Sequence, residues 1–144
     1  MKKTVFTLFF LASAIGISAK DFTVDGINYD RLADSTSVAV APSGRTYNGT
    51  ITIPGKVYHD GKEYTVTTIG DSAFIRCGKL VSVTIPETIT DIKFGAFAFD
   101  SCMTSITIPN SVKSIGRSAF YNCTSLTSLS IPNSVTEIVL CAFA

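Results

Sequence analysis

Charged side chains are scarce in this sequence of 144 residues, and the two signs nearly balance, with 12 basic residues against 11 acidic ones. No run of like charge follows the first three residues. A nucleic-acid or anionic-membrane partner would need a basic patch, so neither is expected. Tryptophan is absent, so any aromatic platform for a sugar would have to use tyrosine or phenylalanine.

Residues that commonly carry catalysis or bind metals are also few. The single histidine, His59, lies beside Asp60 in a predicted hairpin and is interpreted as a surface turn residue. No GxSxG, HExxH, P-loop or glycine-rich dinucleotide motif occurs. The four cysteines form no CxxC pair, and the acidic residues show no spacing typical of an acid-base pair. The sequence therefore predicts no enzymatic activity, no cofactor and no metal site.

The amino-terminal segment has the layout of a secretory signal peptide. Two lysines, Lys2 and Lys3, precede an apolar run of 13 residues from Val5 to Ile17, and small residues follow at Ser18 and Ala19. A membrane-spanning helix would need roughly 20 apolar residues. We therefore predict a signal peptide over residues 1–19, cleavage after Ala19, and an exported protein with no membrane span after cleavage.

What the sequence has in abundance is repetition. Three sets of apolar residues recur with one period of 23 residues. These sets are the Ile-Pro pairs that begin at Ile85, Ile108 and Ile131, the isoleucines Ile69, Ile92, Ile115 and Ile138, and the Ala-Phe pairs that end at Phe74, Phe97, Phe120 and Phe143. A period in this range is typical of a solenoid, in which stacked coils bury one another's apolar faces.

Within each coil, the apolar pattern predicts two extended sides and a turn. Leu126, Leu129 and Ile131 occupy the first, fourth and sixth positions of a strand that a proline ends. A second extended piece, a glycine turn such as Gly116, and a short helical turn with Phe120 in the core complete the coil. The predicted repeat core consists of Phe74, Leu80, Val83, Ile85, Ile92, Phe99, Ile106, Ile108, Ile115, Phe120, Leu126, Leu129, Ile131, Ile138 and Phe143.

These motifs resemble a known family. A strand with apolar first, fourth and sixth positions, then IPNSV, a SIG-type turn and AFxxC, is similar to the bacterial leucine-rich repeats of the BspA type, from about Thr65 to Ala144. The lead-in GKEYTVTTIGDSAF resembles the first unit of such proteins. The resemblance implies a solenoid that is exported to the cell surface or secreted, with a role in adhesion or protein binding.

One coil departs from the pattern, because IKFGAFAFDSC contains two Ala-Phe pairs. The 23-residue spacing would put Phe97 in the core, but Asp100 would then occupy the position of Cys77 and Cys123. An unpaired buried carboxylate is costly. We therefore favour Phe99 as the core residue, with Cys102 buried in the cysteine column and Asp100 exposed.

Residues 65–144 are predicted to form the solenoid, with about three and a half repeats. Residues 20–64 differ from the repeats and are predicted to form a β-rich cap over its first coil. The dipeptides Asp25-Gly26, Asn48-Gly49 and Asp60-Gly61 each suit a two-residue hairpin turn. At the other end, Val139 and Leu140 replace the usual turn residues. Either the last turn is adapted to close the stack, or the chain is a fragment of a longer repeat protein. We favour the fragment.

The cysteines are predicted to be reduced. Export would permit disulfides, but Cys77 and Cys123 lie two coils apart, roughly 10 Å, which exceeds disulfide reach. Cys102 could pair with only one of these neighbours. The favoured interpretation is a column of small, buried, apolar thiols.

The residues predicted to face outward from the repeat strands are Ser82, Thr84, Ser105, Thr107, Ser128 and Ser130. Stacked together, they would form a strip of hydroxyl groups on which a partner protein on a host cell, a neighbouring cell or the matrix could dock. The plain alternative is that serine and threonine are simply tolerated on a solvated strand. Two other hypotheses remain. One is a glycan site that uses Tyr58, Tyr64 or Tyr121, and the other is a purely structural spacer.

Overall fold

A computed structural model describes residues 20–44 and 47–144, so the predicted signal peptide lies outside the described residues. These ranges contain β-strands and no helix. The strands are β1 (Phe22–Val24), β2 (Ile27–Arg31), β3 (Ser37–Val40), β4 (Asn48–Thr52), β5 (Lys56–His59), β6 (Lys62–Ile69), β7 (Lys79–Thr84), β8 (Asp91–Ile92), β9 (Ser105–Ile106), β10 (Ser114–Ile115) and β11 (Glu137–Ile138).

Two sheets run along a stack of coils, as the solenoid prediction requires. The larger sheet has the order β1-β2-β3-β6-β8-β10-β11, with β5 also paired to β6, and the smaller has the order β4-β7-β9. From β3 onward the neighbours in the first path pair in parallel, and all pairs of the smaller sheet are parallel. Ile69, Ile92, Ile115 and Ile138 lie in register across four successive strands. The mainly β repeat solenoid is thus confirmed.

Two of the three predicted hairpins form. Asp25-Gly26 joins β1 to β2 and Asp60-Gly61 joins β5 to β6, each with positive φ at both residues, as a two-residue hairpin turn requires. The third prediction was wrong. Asn48-Gly49 begins β4, and the register with β7 shifts directly after Gly49, whose φ is 63°. The dipeptide therefore forms an irregularity in a parallel strand pair, and the positive φ of Gly49 allows the backbone to make this shift.

The centre of the stack is a ladder of phenylalanine rings. Phe74, Phe97, Phe120 and Phe143 stack with successive centroid separations of 5.1, 5.2 and 5.4 Å and interplanar angles of 10° or less. The prediction that Phe99 fills the core was therefore wrong, because Phe97 does so and Phe99 is only half-buried. Backbone hydrogen bonds fix this register: Phe97 N–H donates to the Ala119 carbonyl at 2.8 Å, one coil further on.

Each predicted helical turn is a series of hydrogen-bonded turns. The coils are numbered by their ladder phenylalanines, Phe74, Phe97, Phe120 and Phe143. In the third coil, for example, Ala119 N–H donates to the Gly116 carbonyl and Tyr121 N–H donates to the Ser118 carbonyl. Positive φ values of 55° at Ser118 and 56° at Asn122 interrupt the right-handed helical path. The corner therefore stays compact without becoming a helix.

Asp100 lies in the cysteine column, so the prediction that Cys102 is buried there and Asp100 is exposed was wrong. The side chain of Asp100 is completely buried, whereas Cys102 is exposed. Cys77 N–H donates to Asp100 Oδ1 at 2.7 Å, and Oδ2 has no hydrogen-bond partner among the described residues. Burial raises the pKa of this carboxyl to about 7, although the Cys77 amide lowers it. All four cysteines are free, and those at the column positions, Cys77 and Cys123, flank Asp100 at one coil's spacing on either side.

Burial of the predicted core residues changes along the stack. From the first coil to Phe120, every predicted core residue except Phe99 is buried. Leu126 and Leu129 are half-buried. Ile131, Ile138 and Phe143 are 40%, 49% and 41% exposed, so the prediction that they are buried was wrong. Phe143 stacks on Phe120 of the preceding coil and Ile138 lies in register with Ile115. Among the described residues, no further coil covers this end of the stack.

Replacing Phe97 by alanine should lower the free energy of unfolding by about 3–5 kcal/mol, because it opens a cavity between two stacked rings. Replacing Phe99 by asparagine should change it by less than about 1 kcal/mol, since Asn tolerates the positive φ that Asn122 also adopts one coil later. Urea denaturation of both variants measures the difference. A larger loss at Phe99 than at Phe97 would contradict the assigned register.

Asp100 should make the protein less stable as pH rises. Its pKa is raised in the fold, so the unfolded chain ionises from about pH 4 but the folded chain only near pH 7. The free energy of unfolding should therefore fall by roughly 3 kcal/mol between pH 5 and pH 8. In Asp100→Asn this part of the decrease should disappear. Equal slopes in the two proteins, from urea denaturation at several pH values, would contradict a buried carboxyl.

Candidate functional site

Hydroxyl groups form rows across the outer face of the smaller sheet. Apolar residues at the alternate strand positions, such as Val83 and Ile106, point into the core, so the residues between them face outward. Ser82 lies opposite Thr50 on one side and Ser105 on the other. Thr50 Oγ1 and Ser82 Oγ are 3.2 Å apart and share a hydrogen bond.

The first strand of this face, β4, was missed in the sequence analysis. It contributes Thr50 and Thr52, which lie in register with Ser82 and Thr84. A signal was present, because Thr50 begins the series TITIP and Ser105 begins the matching series SITIP. The 23-residue spacing does not reach β4, since the hairpin of β5 and β6 is inserted between β4 and β7.

Four of the six predicted strip residues share one surface. Ser82, Thr84, Ser105 and Thr107 line a shallow polar groove of about 330 Å³, together with Glu87 and Pro109. Ser128 and Ser130 are exposed, but their segment forms no strand. The hydrogen-bonded part of the face therefore consists of β4, β7 and β9, and we name this surface, with Thr50, Thr52 and the four predicted residues, the hydroxyl face.

The hydroxyl face is suited to hydrogen bonding. Each serine or threonine hydroxyl can both donate and accept, and Glu87 is the charged side chain that lines the groove. His59 lies elsewhere, on β5, where its ring stacks on Phe22 at 4.2 Å and its Nε2 atom is 3.2 Å from Asp60 Oδ2. Activation of a serine would need a base within hydrogen-bond reach, and no such pair is formed by the groove residues.

Other chemistry-bearing residues are spread over the fold. Within residues 20–44 and 47–144, no group of three or more histidine, cysteine or acidic side chains could hold a metal ion. The same ranges contain no helix with the length and hydrophobicity that crossing a membrane requires.

The three tyrosines considered for a glycan site are not equivalent. Tyr58 on β5 is 68% exposed, and Tyr121 in a turn of the third coil is 39% exposed. Tyr64 is buried, with the charged groups of Arg31 and Lys62 over its ring at 5.7 and 5.1 Å. The expectation that Tyr64 is available to a sugar was therefore wrong.

Comparison with known proteins agrees with the coil architecture. The model of the BspA type leucine rich repeat region matches residues 62–144 in six copies. No curated protein matches the chain.

Several solved bacterial structures share the fold. A leucine-rich repeat protein from Bacteroides ovatus is 32% identical, with a TM-score of 0.73 over 82% of this chain and 31% of that one. A leucine rich cell surface protein from Faecalibacterium prausnitzii is 36% identical, with a TM-score of 0.72 over 84% and 33%. A leucine-rich repeat protein from Bacteroides capillosus is 26% identical, with a TM-score of 0.75 over 82% and 86%.

The chain spans about a third of the length of the first two of these proteins. The matched family region covers more than half of the sequence, and it coincides with the coils whose phenylalanines form the central ladder. The chain belongs to the BspA-type leucine-rich repeat family.

Proposed function

We propose that this protein is an exported, non-catalytic repeat module of the cell surface or extracellular space that binds other proteins through its hydroxyl face. The observation that carries the proposal is the register of β4, β7 and β9, which aligns five outward hydroxyl side chains on a continuous sheet, with Thr107 directly after β9. The secretory layout of residues 1–19 supports export. The surface location named for the Faecalibacterium prausnitzii relative supports it as well.

The chemistry of the hydroxyl face favours weak binding at each site. It carries no tryptophan or arginine, the side chains that most often anchor tight protein interfaces. Neutral hydrogen bonds each contribute only about 0.5–1.5 kcal/mol. Useful adhesion would then depend on many copies at one surface or on more coils, since linked weak sites gain affinity together.

Glycan binding is the second candidate, and the exposed rings of Tyr58 and Tyr121 are the observation that favours it. These two rings lie on different elements, β5 and the third coil. A glycan site would therefore use one tyrosine, with hydrogen bonds from its own neighbours. A structural spacer is the third candidate, and it would show no binding by either surface.

Replacing Ser105 by lysine should weaken binding to a protein partner by roughly tenfold, because a long charged side chain on β9 would cover part of the hydroxyl face. Ser128→Lys tests whether the face extends past β9. Binding is measured by surface plasmon resonance on a panel of purified matrix and cell-surface proteins. Ser101→Lys is the matched control, since Ser101 is exposed in a turn and does not line the groove of this face.

The same panel distinguishes the alternatives. Binding that survives Ser105→Lys and is lost in Tyr58→Ala or Tyr121→Ala, together with binding to an oligosaccharide array, would replace the proposal by a glycan site. Absence of binding to every protein and oligosaccharide by the folded wild type would favour a spacer.

A further inference from the structure

The second coil differs from its neighbours at four further positions as well as at Asp100. Column by column, its residues stand between those of the first and third coils as follows: Phe94 between Asp71 and Arg117, Gly95 between Ser72 and Ser118, Ala98 between Ile75 and Tyr121, and Phe99 between Arg76 and Asn122. Two columns that are polar in the first and third coils thus gain a phenylalanine in the second. The two columns between them lose side-chain volume.

These four changes meet at one place. Gly95 and Ala98 leave a notch where the neighbouring coils carry larger side chains, and Phe94 and Phe99 lie beside it. Ile75 and Tyr121, from the coils on either side, also line the resulting groove, which has a volume of about 340 Å³. We name this site the aromatic groove.

The fold does not need these phenylalanines. The central ladder is completed by Phe97, so neither Phe94 nor Phe99 fills the core. Phe94 is 52% exposed. The ring of Phe99 meets that of Tyr121 edge to face, with centroids 5.3 Å apart. Exposed apolar clusters with a polar border commonly mark binding sites.

The charge around the aromatic groove is positive. Arg117 lines it, and the guanidinium of Arg76 lies 5.1 Å from the ring centroid of Phe99. No carboxylate lines the groove, and the nearby Asp71 accepts a hydrogen bond from Phe94 N–H through Oδ1. Among the described residues, neither arginine takes part in an ion pair. Two guanidinium groups are therefore available to an acidic ligand.

We propose that the aromatic groove binds a peptide segment of a partner protein in which a large apolar side chain is flanked by an aspartate or glutamate. The apolar side chain fills the notch over Gly95 and Ala98, and the carboxylate pairs with Arg117 or Arg76. Aromatic residues and arginine are the side chains most enriched at protein interfaces. An arginine can hold a carboxylate by two parallel hydrogen bonds.

The lining argues against a sugar as the main ligand. Carbohydrates present many hydroxyl groups, and a buried polar group without a partner is costly. Ser118, Tyr121 and Arg117 are the principal hydrogen-bonding side chains of the groove, whereas most of its lining is apolar. An apolar side chain with one neighbouring carboxylate matches this balance better.

The aromatic groove is separate from the hydroxyl face. The two sites share no lining residue, so each can be altered by substitutions that leave the lining of the other unchanged. The proposal therefore goes beyond the proposed function, and each can fail without the other.

Neighbouring coils supply substitutions that should close the groove without harming the fold. Gly95→Ser is suitable because Ser72 and Ser118 adopt nearly the same φ, 55° against 58°. A Cβ at Gly95 would lie 3.6 Å from Ser72 Oγ and 3.9 Å from Ala98 Cβ, which are ordinary contacts. Phe94→Asp and Phe99→Asn likewise introduce residue types that adjacent coils already carry at these positions.

The test uses a peptide array in which one leucine, isoleucine, phenylalanine or methionine is flanked by aspartate and glutamate, by serine, or by lysine. We expect the wild-type protein to bind the acidic set preferentially, on the order of tenfold more tightly than the lysine set. Binding should be lost in the triple variant with Phe94→Asp, Gly95→Ser and Phe99→Asn. Arg117→Gln should reduce the preference for acidic flanks but keep the apolar preference.

Controls separate this result from misfolding and from the hydroxyl face. The triple variant should keep a thermal midpoint close to that of the wild type, and Ser105→Lys and Val81→Thr should leave peptide binding unchanged. Equal binding to acidic and lysine peptides, peptide binding that survives the triple variant, or failure of the wild type to bind any acidic peptide would overturn the proposal. Binding of neutral oligosaccharides that the triple variant abolishes would overturn it in favour of a glycan.

Discussion

The stacking of successive coils at a 23-residue period is the constraint on which the rest of the structure depends. A single coil has too little apolar surface to bury on its own, and it leaves its backbone groups unpaired. Stacking satisfies both requirements, because Phe74, Phe97 and Phe120 pack ring on ring while backbone amides donate to the carbonyls of the adjacent coil. A residue in one coil therefore has its position set by the equivalent residue in the next.

Regular columns of apolar residues made the solenoid predictable from the sequence. Recurrence of Ile69, Ile92 and Ile115 at one spacing requires that they lie in register, and they do. The prediction of Phe99 as the core residue was wrong because it gave the cost of burying Asp100 more weight than the regular 23-residue spacing of the phenylalanine ladder. Burial of Asp100 is costly, but two features reduce the cost. The Cys77 amide donates a hydrogen bond to the Asp100 carboxyl, and the raised pKa of that carboxyl lets it remain protonated, and so uncharged, below about pH 7. Moving the phenylalanine by two positions would have disrupted several contacts between coils.

The functional surfaces were only partly predictable, for related reasons. Alternation within the strands identified Ser82, Thr84 and Ser105 as outward-facing, because period two holds wherever a strand is paired. Thr50 and Thr52 were missed, since the inserted hairpin breaks the spacing on which the repeat argument relied. The aromatic groove could not be predicted from residues that recur at the 23-residue spacing. It arises where Phe94, Gly95, Ala98 and Phe99 depart from the repeat, and assigning Phe99 to the core concealed it.

Reactivity of the cysteine thiols in the native protein tests the register most directly. The four cysteines of the folded chain would be labelled with iodoacetamide and the modified positions followed over time by mass spectrometry. With Phe97 in the ladder, Cys102 is exposed and Cys77 is buried, so Cys102 should react at nearly the rate of the unfolded chain while Cys77 stays protected. Protection of Cys102 to the same degree as Cys77 would contradict this register and place Phe99 in the core.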